Sequence, residues 1–382
     1  MSDPPYIVFG SPSIDREAID AVVRTLETCW IGTGPRVHEL ESAFARFVGA
    51  AHALATSSCT AALHLAMVAS GVGPGDEVIT TPMTFCATAN AIVHTGATPI
   101  FVDCEKETMN IDPAAIAAAV TQRTRAILPV HFAGRPADMD AIGAIARRHD
   151  LLVIEDAAHA IETAYRGRKI GSISQLTCFS FYATKNMTTA EGGMVTTNDP
   201  ALAEKIRILG LHGLSADAWN RFSDNGYKHY DVVYPGFKYN LTDLAASLGL
   251  VQLPRLQAWL ERREELWRRY DEAFVGLPLA TPAPAAPNTI HARHLYTILI
   301  DKKARVGRDE FMAEMHKRHI GTGVHYRALH THPYYRDRWA FRPEQFPNAY
   351  DIGERTVSLP LTPKLTDPEA DRIIQAVREI LG

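Results

Sequence analysis

The sequence predicts a mainly parallel, seven-stranded α/β sheet flanked by helices, followed by a smaller α+β domain. Three observations carry that prediction. Short apolar runs alternate with helical patterns from His52 to about Asp199, as expected of strands buried on both faces and joined by helical crossovers. The stretch LPLATPAPAAPN at 277–288 is rich in proline and alanine, lacks periodicity, and reads as a loop between domains. A length of 382 residues exceeds what one ordinary core organises. The expected division is 1–250, a large domain with an N-terminal segment, and 251–382, a smaller one.

The expected strands are HALATSS (52–58), EVITTP (77–82), TPIFVDC (98–104), RAILPVHF (125–132), LLVIED (151–156), CFSFYA (178–183) and GGMVTTN (192–198). TAALHLAMVAS, PAAIAAAV and MDAIGAIARRH supply helices between them. The connection between the last two strands is too short for a helical crossover, so simple βαβ winding is expected to break there. A long helical pattern runs from about Thr242 to Phe274, and Pro254 should kink or divide it. The remainder alternates strand (HLYTILI), helix (RDEFMAEMHKRH) and a closing helix (DPEADRIIQAVREIL).

Composition narrows the function. Hydrophobic residues at 46% and charged residues at 21% fit a soluble globular chain. A formal charge of −4 gives no basic excess for nucleic acid or an anionic membrane. No run approaches the ~18 apolar residues of a membrane helix, and the N-terminus lacks a signal-peptide pattern. Five scattered cysteines show no metal-binding spacing. Reduced thiols, a cytoplasmic location and no metal are the expectations.

The chemistry centres on CFSFYATKNMTTAEGGMVTTND. Lys185 follows a buried strand, and no acidic residue lies within five positions. A partly desolvated lysine at a sheet edge has a depressed pKa and a usable amine; the plain alternative is a solvated loop lysine. LLVIEDAAHA places Glu155 and Asp156 at the carboxyl end of a strand, where open α/β sheets bind ligands. A carboxylate there can pair with the protonated ring nitrogen of pyridoxal phosphate (PLP), or simply cap a helix. In ATSSCTAALHLAM a strand ends in Ser57, Ser58 and Thr60 just as a helix begins, which is a phosphate cradle or an ordinary cap. Ser180 offers a further hydroxyl. Trp30, Gly32, Thr33 and Gly34 form a glycine-bearing loop able to approach a ligand closely, or only a turn. A phosphate cradle, an acid for the ring nitrogen and an amine for the aldehyde together describe a PLP site.

Taken in order, WIGTGPRVHELESAFA, GDEVITTPMTF, GATPIFVD, VIEDAAHA, SFYATKN, EGGMVTTND and GFKYNLTDLAA cover most of the chain. They resemble the sugar aminotransferases of the DegT/StrS family, which have the fold-type I PLP architecture. The resemblance implies that Lys185 carries PLP covalently and shuttles the reaction's proton. It implies that Asp156 pairs with the pyridine nitrogen, and that Cys59, Thr60 and Ser180 hold the phosphate. Phe85 matches the aromatic position that stacks on the ring, and His159 a position beside the cofactor; each is otherwise a core residue. Asn240 matches an asparagine that reaches the phosphate of the neighbouring subunit, which implies a homodimer with shared active sites. The segment IGTGVHYRALHTHPYYRDRW is most similar to members that aminate C4 of a UDP-linked 4-keto sugar. That likeness puts His325, Tyr326 and Arg327 near the sugar or its diphosphate, alongside Trp30, Gly32 and Thr33; a polar domain surface is the plain alternative.

The resemblance thus implies amino transfer from L-glutamate to a nucleotide-linked keto sugar. A PLP-dependent sugar dehydratase of the same fold would carry histidine where Lys185 stands. A nucleotide-sugar oxidoreductase would want GxGxxG between the first strand and helix, where none occurs. A PLP-binding regulator without turnover is the third alternative.

Overall fold

A computed structural model describes residues 4–215 and 229–382. Seven strands form the main sheet: β1 (His52–Thr56), β2 (Glu77–Thr80), β3 (Thr98–Phe101), β4 (Thr124–Ile127), β5 (Leu152–Asp156), β6 (Leu176–Ser180) and β7 (Gly193–Thr197). Their order is β1-β7-β6-β5-β4-β2-β3. The pairs among β2 to β6 are parallel, whereas β7 runs antiparallel to both β6 and β1. The short 181–192 connection therefore does what its length demands and returns the chain along the strand it has just left.

The strands match the expected seven, and each is shorter than expected. β4 ends at Ile127, ahead of Pro129, which has no N–H to extend the ladder. Apolar clusters cover both faces of the sheet. One contains Phe44, Ile79, Val153 and Phe179, and the other Leu63, Val78, Ile154 and Val195. The helix Cys59–Ala69 belongs to the second cluster. It is apolar on nearly every side, and its alanines let it lie close against the strands.

Pro254 divides the long helical pattern as expected. Asp243–Gln252 and Leu256–Ala273 are separate helices joined by a 3-10 turn at Leu253–Arg255. Beyond it a three-stranded antiparallel sheet forms from Leu279–Ala280, Tyr296–Ile300 and Thr356–Leu359. Helices Arg308–Lys317 and Asp367–Leu381 share a core with it through Phe311, Ile298 and Ile373. Among the described residues no helix is long and apolar enough to cross a membrane.

One distant contact fixes the N-terminal loop. The helix Pro35–Val48 begins at Gly34, which has no side chain to cap it. The Asp243 carboxylate does so instead, accepting from the amides of Gly34 (2.8 Å), Val37 (2.9 Å) and Arg36 (3.1 Å) while only 1% exposed. Asp243→Ala leaves those amides unmet and is expected to cost about 2–4 kcal/mol. Urea unfolding checks this, and a change below about 0.5 kcal/mol contradicts it.

Candidate active site

The carboxyl ends of β1, β5 and β6 and the amino end of β7 share one sheet edge, because β7 alone is reversed. Gly193 opens β7 opposite Thr56 and Ser180. A Cβ at Gly193 would lie 2.7 Å from the Cys59 nitrogen, so only glycine lets the helix Cys59–Ala69 start this close to the strand. Ser58 caps that helix by accepting from the Ala61 amide at 3.1 Å. The Cys59 and Thr60 amides precede the first helical hydrogen bond and have no partner among the described residues. With the Thr60 and Ser180 hydroxyls nearby in sequence and sheet register, this edge suits a phosphate. The Cys59 thiol contacts the Cys178 carbonyl at 3.7 Å, and burial pushes its pKa well up. It is a packed thiol rather than a nucleophile.

Alternation along β5 sends its two terminal acids to different work. Glu155 is wholly buried and accepts from Thr177 Oγ1 (2.9 Å) and the Ser174 amide (3.2 Å). Its other oxygen meets His131 Nε2 at 2.7 Å. His131 Nδ1 accepts from the Ala137 amide, so Nε2 carries the donated proton. Asp156 instead accepts from Thr88 Oγ1 at 2.7 Å and the Ala158 amide at 3.1 Å. Burial raises its pKa, against those two donors and the nearby Lys185. A buried carboxylate short of positive charge suits a protonated ring nitrogen.

Lys185 lies in the turn after β6, its amide bonded to the Tyr182 carbonyl at 2.9 Å. The residue keeps some surface, yet burial of the amine lowers its pKa to about 8, against the attraction of Cys59 and Asp156. His159 is buried close by. Its Nδ1 accepts from the Ala133 amide (3.2 Å), and its Nε2 meets Tyr326 Oη at 3.0 Å. Burial keeps the ring neutral, so Nε2–H donates and the Tyr326 hydroxyl proton is free to point elsewhere. The Tyr326 ring lies 6.0 Å from Phe85 and 6.2 Å from Phe132. Phe85 itself is exposed and is therefore no core residue. His325 bonds Ser358 Oγ at 2.8 Å, and burial beside Lys185 lowers its pKa to about 3.

Lys185, Asp156, Cys59, His159, His325 and Tyr326 thus come together, with Phe85 against Tyr326. Other predicted residues bond elsewhere than to this group. Trp30 is half-exposed and donates from Nε1 to the Thr33 carbonyl at 3.2 Å. A Cβ at Gly34 would overlap that indole, so any larger residue there would have to displace the Trp30 side chain. Gly32 accepts from the Asp243 amide. Thr33 donates to the Leu241 carbonyl, and the Asn240 side chain donates to Thr33. Thr242, not Asn240, caps the following helix. Asn240 lies opposite Thr56, at the end of β1. Arg327 is exposed and donates to Thr331 Oγ1 at 3.2 Å.

Sequence reasoning missed Thr88, Asn186 and His294. Thr88 lies in the first turn of the helix Cys86–His94, whose pattern is ordinary and apolar, and only its contact with Asp156 reveals it. Asn186 and His294 join each other at 2.9 Å from 108 positions apart, which no local pattern encodes.

The aminotransferase model "DegT/DnrJ/EryC1/StrS aminotransferase family" matches residues 12–378. The spore coat polysaccharide biosynthesis protein SpsC of Bacillus subtilis is 52% identical over 379 residues, 98% of this chain and 97% of that protein. The Streptococcus pneumoniae protein Spr1654 in its PLP form superposes with a TM-score of 0.91 at 34% identity, over 99% of this chain and 100% of that one. Helicobacter pylori PseC, an aminotransferase involved in pseudoaminic acid biosynthesis, superposes with a TM-score of 0.90 at 29% identity, over 98% and 99%. The unbonded amides, the buried acid and the low-pKa amine fit the cofactor those relatives imply. The chain belongs to the DegT/DnrJ/EryC1/StrS aminotransferase family, and it is a sugar aminotransferase with PLP as its cofactor.

Proposed function

We propose that the chain transfers an amino group from L-glutamate to a keto group, at C4, of a nucleotide-linked sugar. The observation that carries the chemistry is the amine of Lys185, lowered to a pKa of about 8 within range of the buried Asp156 carboxylate. Near neutral pH such an amine exchanges protons readily. When bound, PLP supplies an aldehyde that takes up and releases the amino group, and a ring that accepts the electron pair. Lys185 holds the aldehyde between turnovers and moves the proton within each half-reaction. Asp156, oriented by Thr88 and the Ala158 amide, keeps the ring nitrogen protonated. The Cys59 and Thr60 amides with the Thr60 and Ser180 hydroxyls hold the phosphate. Phe85 covers a ring face, and His159 flanks the cofactor while orienting Tyr326.

In this reading residues 1–250 carry the cofactor pocket and 251–382 bring His325, Tyr326 and Arg327 to the sugar or its diphosphate. Arg327 reaches the diphosphate from the surface, where its planar fork suits two oxygens. Two copies pair in the cytoplasm. Asn240 then serves the partner's phosphate, and the Trp30, Gly32 and Thr33 loop meets the substrate. The likeness of the 320–339 segment to C4-aminating enzymes supports the choice of carbon.

Adding L-glutamate to the PLP-loaded protein should shift its absorbance from the pyridoxal to the pyridoxamine form; an unchanged spectrum rejects this donor. A panel of 3-keto and 4-keto nucleotide sugars, read by mass spectrometry, then tests the acceptor. Turnover of UDP- or dTDP-linked 4-ketones is expected, and turnover of 3-ketones alone overturns the assignment to C4.

A further inference from the structure

Lys185 sits on a turn, outside any helix or strand, yet its amine must be held to a fraction of an ångström for efficient proton transfer. The residue after it supplies the anchor. Asn186 Nδ2 donates to Glu162 Oε2 at 2.8 Å and to the Ala292 carbonyl at 2.9 Å. Its Oδ1 lies 2.9 Å from His294 Nδ1. Both donors of the amide are committed to oxygen acceptors, so Oδ1 must accept and His294 Nδ1 must carry the proton. Glu162 is fixed in turn by an ion pair with Arg263, whose Nε donates to the same Ala292 carbonyl at 3.3 Å.

His294 also reaches the other flank of the site. Its backbone amide donates to the Ala133 carbonyl at 3.0 Å, while the Ala133 amide donates to His159 Nδ1. The His294 and His159 rings lie 4.4 Å apart, tilted by 36°. Burial keeps His294 neutral, with Lys185, His325, Arg263 and His291 as its charged or titratable neighbours. Its Nε2 therefore presents a lone pair, and only Nδ1 donates.

We infer that His294 is a positioning residue: its Nδ1–H bond to Asn186 and its contact with His159 lock the Lys185 turn to the imidazole beside the cofactor. The inference rests on Lys185 being the reactive amine proposed above. The groups that face Lys185 are Cys59 from the helix after β1, Asp156 from β5, His159 from the turn after it, and His294 and His325 from the C-terminal part. Release of the turn lets the amine reach water and regain protons.

The test compares His294→Phe, which keeps a ring but no donor, with His294→Asn, whose side-chain amide can occupy the Nδ1 position. In each purified, cofactor-free protein the acetylation of Lys185 by a trace of acetic anhydride is followed against pH by mass spectrometry. His294→Phe should move the Lys185 midpoint up by about one unit or more toward free lysine. His294→Asn should stay near the wild type. In the PLP-loaded proteins His294→Phe should lower kcat with little change in the substrate KM, and His294→Asn should recover most of it. An unmoved midpoint in His294→Phe that still folds by circular dichroism overturns the inference. So does His294→Asn behaving as His294→Phe. If neither variant folds, Asn186→Ala, which cuts the same bond from the loop side, must raise the midpoint or the inference fails. Failure to bind PLP would instead refute the proposed function, and the labelling result stands apart from it.

Discussion

On the proposed function, Lys185→Ala should lower turnover by about 10³-fold or more, because the variant would lose the group assigned to move the proton in both half-reactions. Borohydride treatment of the PLP-loaded wild type should fix the cofactor on the peptide containing Lys185, and the variant should retain none. Turnover within tenfold of wild type would defeat the assignment. The same residue gives a signature in stability. The folded pKa of Lys185, about 8, lies below the ordinary lysine value of 10.5. Between those limits the unfolded chain holds a proton that the folded chain has released, so the stability of the cofactor-free protein rises with pH through that window. Below pH 8 both states are protonated, and the full cost of burying the ammonium remains. Lys185→Met removes this contribution. Urea unfolding at pH 7.5 and 9.5 should therefore show a smaller rise in the variant; equal rises would place the amine in water.

Arg263→Ala should destabilise the fold by about 3–5 kcal/mol, since it strands the Glu162 carboxylate in the interior. The pair is buried on both sides, with Arg263 1% and Glu162 3% exposed. Its geometry is imperfect: Arg263 Nη1 has no hydrogen-bond partner among the described residues. An ion pair that leaves a donor unmet repays its desolvation poorly. Arg263→Met combined with Glu162→Gln is therefore expected to recover most of the loss, the glutamine oxygen still accepting from Asn186. Chemical denaturation of Arg263→Met, Glu162→Gln and the double variant measures the coupling. A double variant as unstable as Arg263→Ala would show that Arg263 acts through its packing instead.

The main sheet was legible because its strands are apolar runs, most of them separated by helical sequence, and the reversal of β7 followed from the length of its connection. Pro254 announced its own break. The ribbon of Ala164–Tyr165, Arg168–Lys169 and Thr289–Ile290 was not legible, since two-residue strands express no period. Glu155 and Asp156 looked alike in sequence as a pair of acids at a strand end. Only the neighbours each meets, His131 for one and Thr88 for the other, separate the carboxylate held in a buried pair from the one assigned to the cofactor. The distant cap by Asp243 was equally hidden, because it joins residues more than 200 positions apart.

The reversal of β7 also bears on how this chain can tolerate changes in length. An ordinary crossover leaves one edge of the sheet and re-enters at the other, so a residue added to it is absorbed at the far surface. The connection from Phe181 to Gly192 departs from and returns to a single edge, and its ends are clamped by the Ser180–Gly193 pairing. A residue inserted or deleted beside Lys185, within the buried part of this connection, changes the path between two clamped ends and should shift the amine. This stretch of twelve positions should accept substitutions more readily than any change in its number.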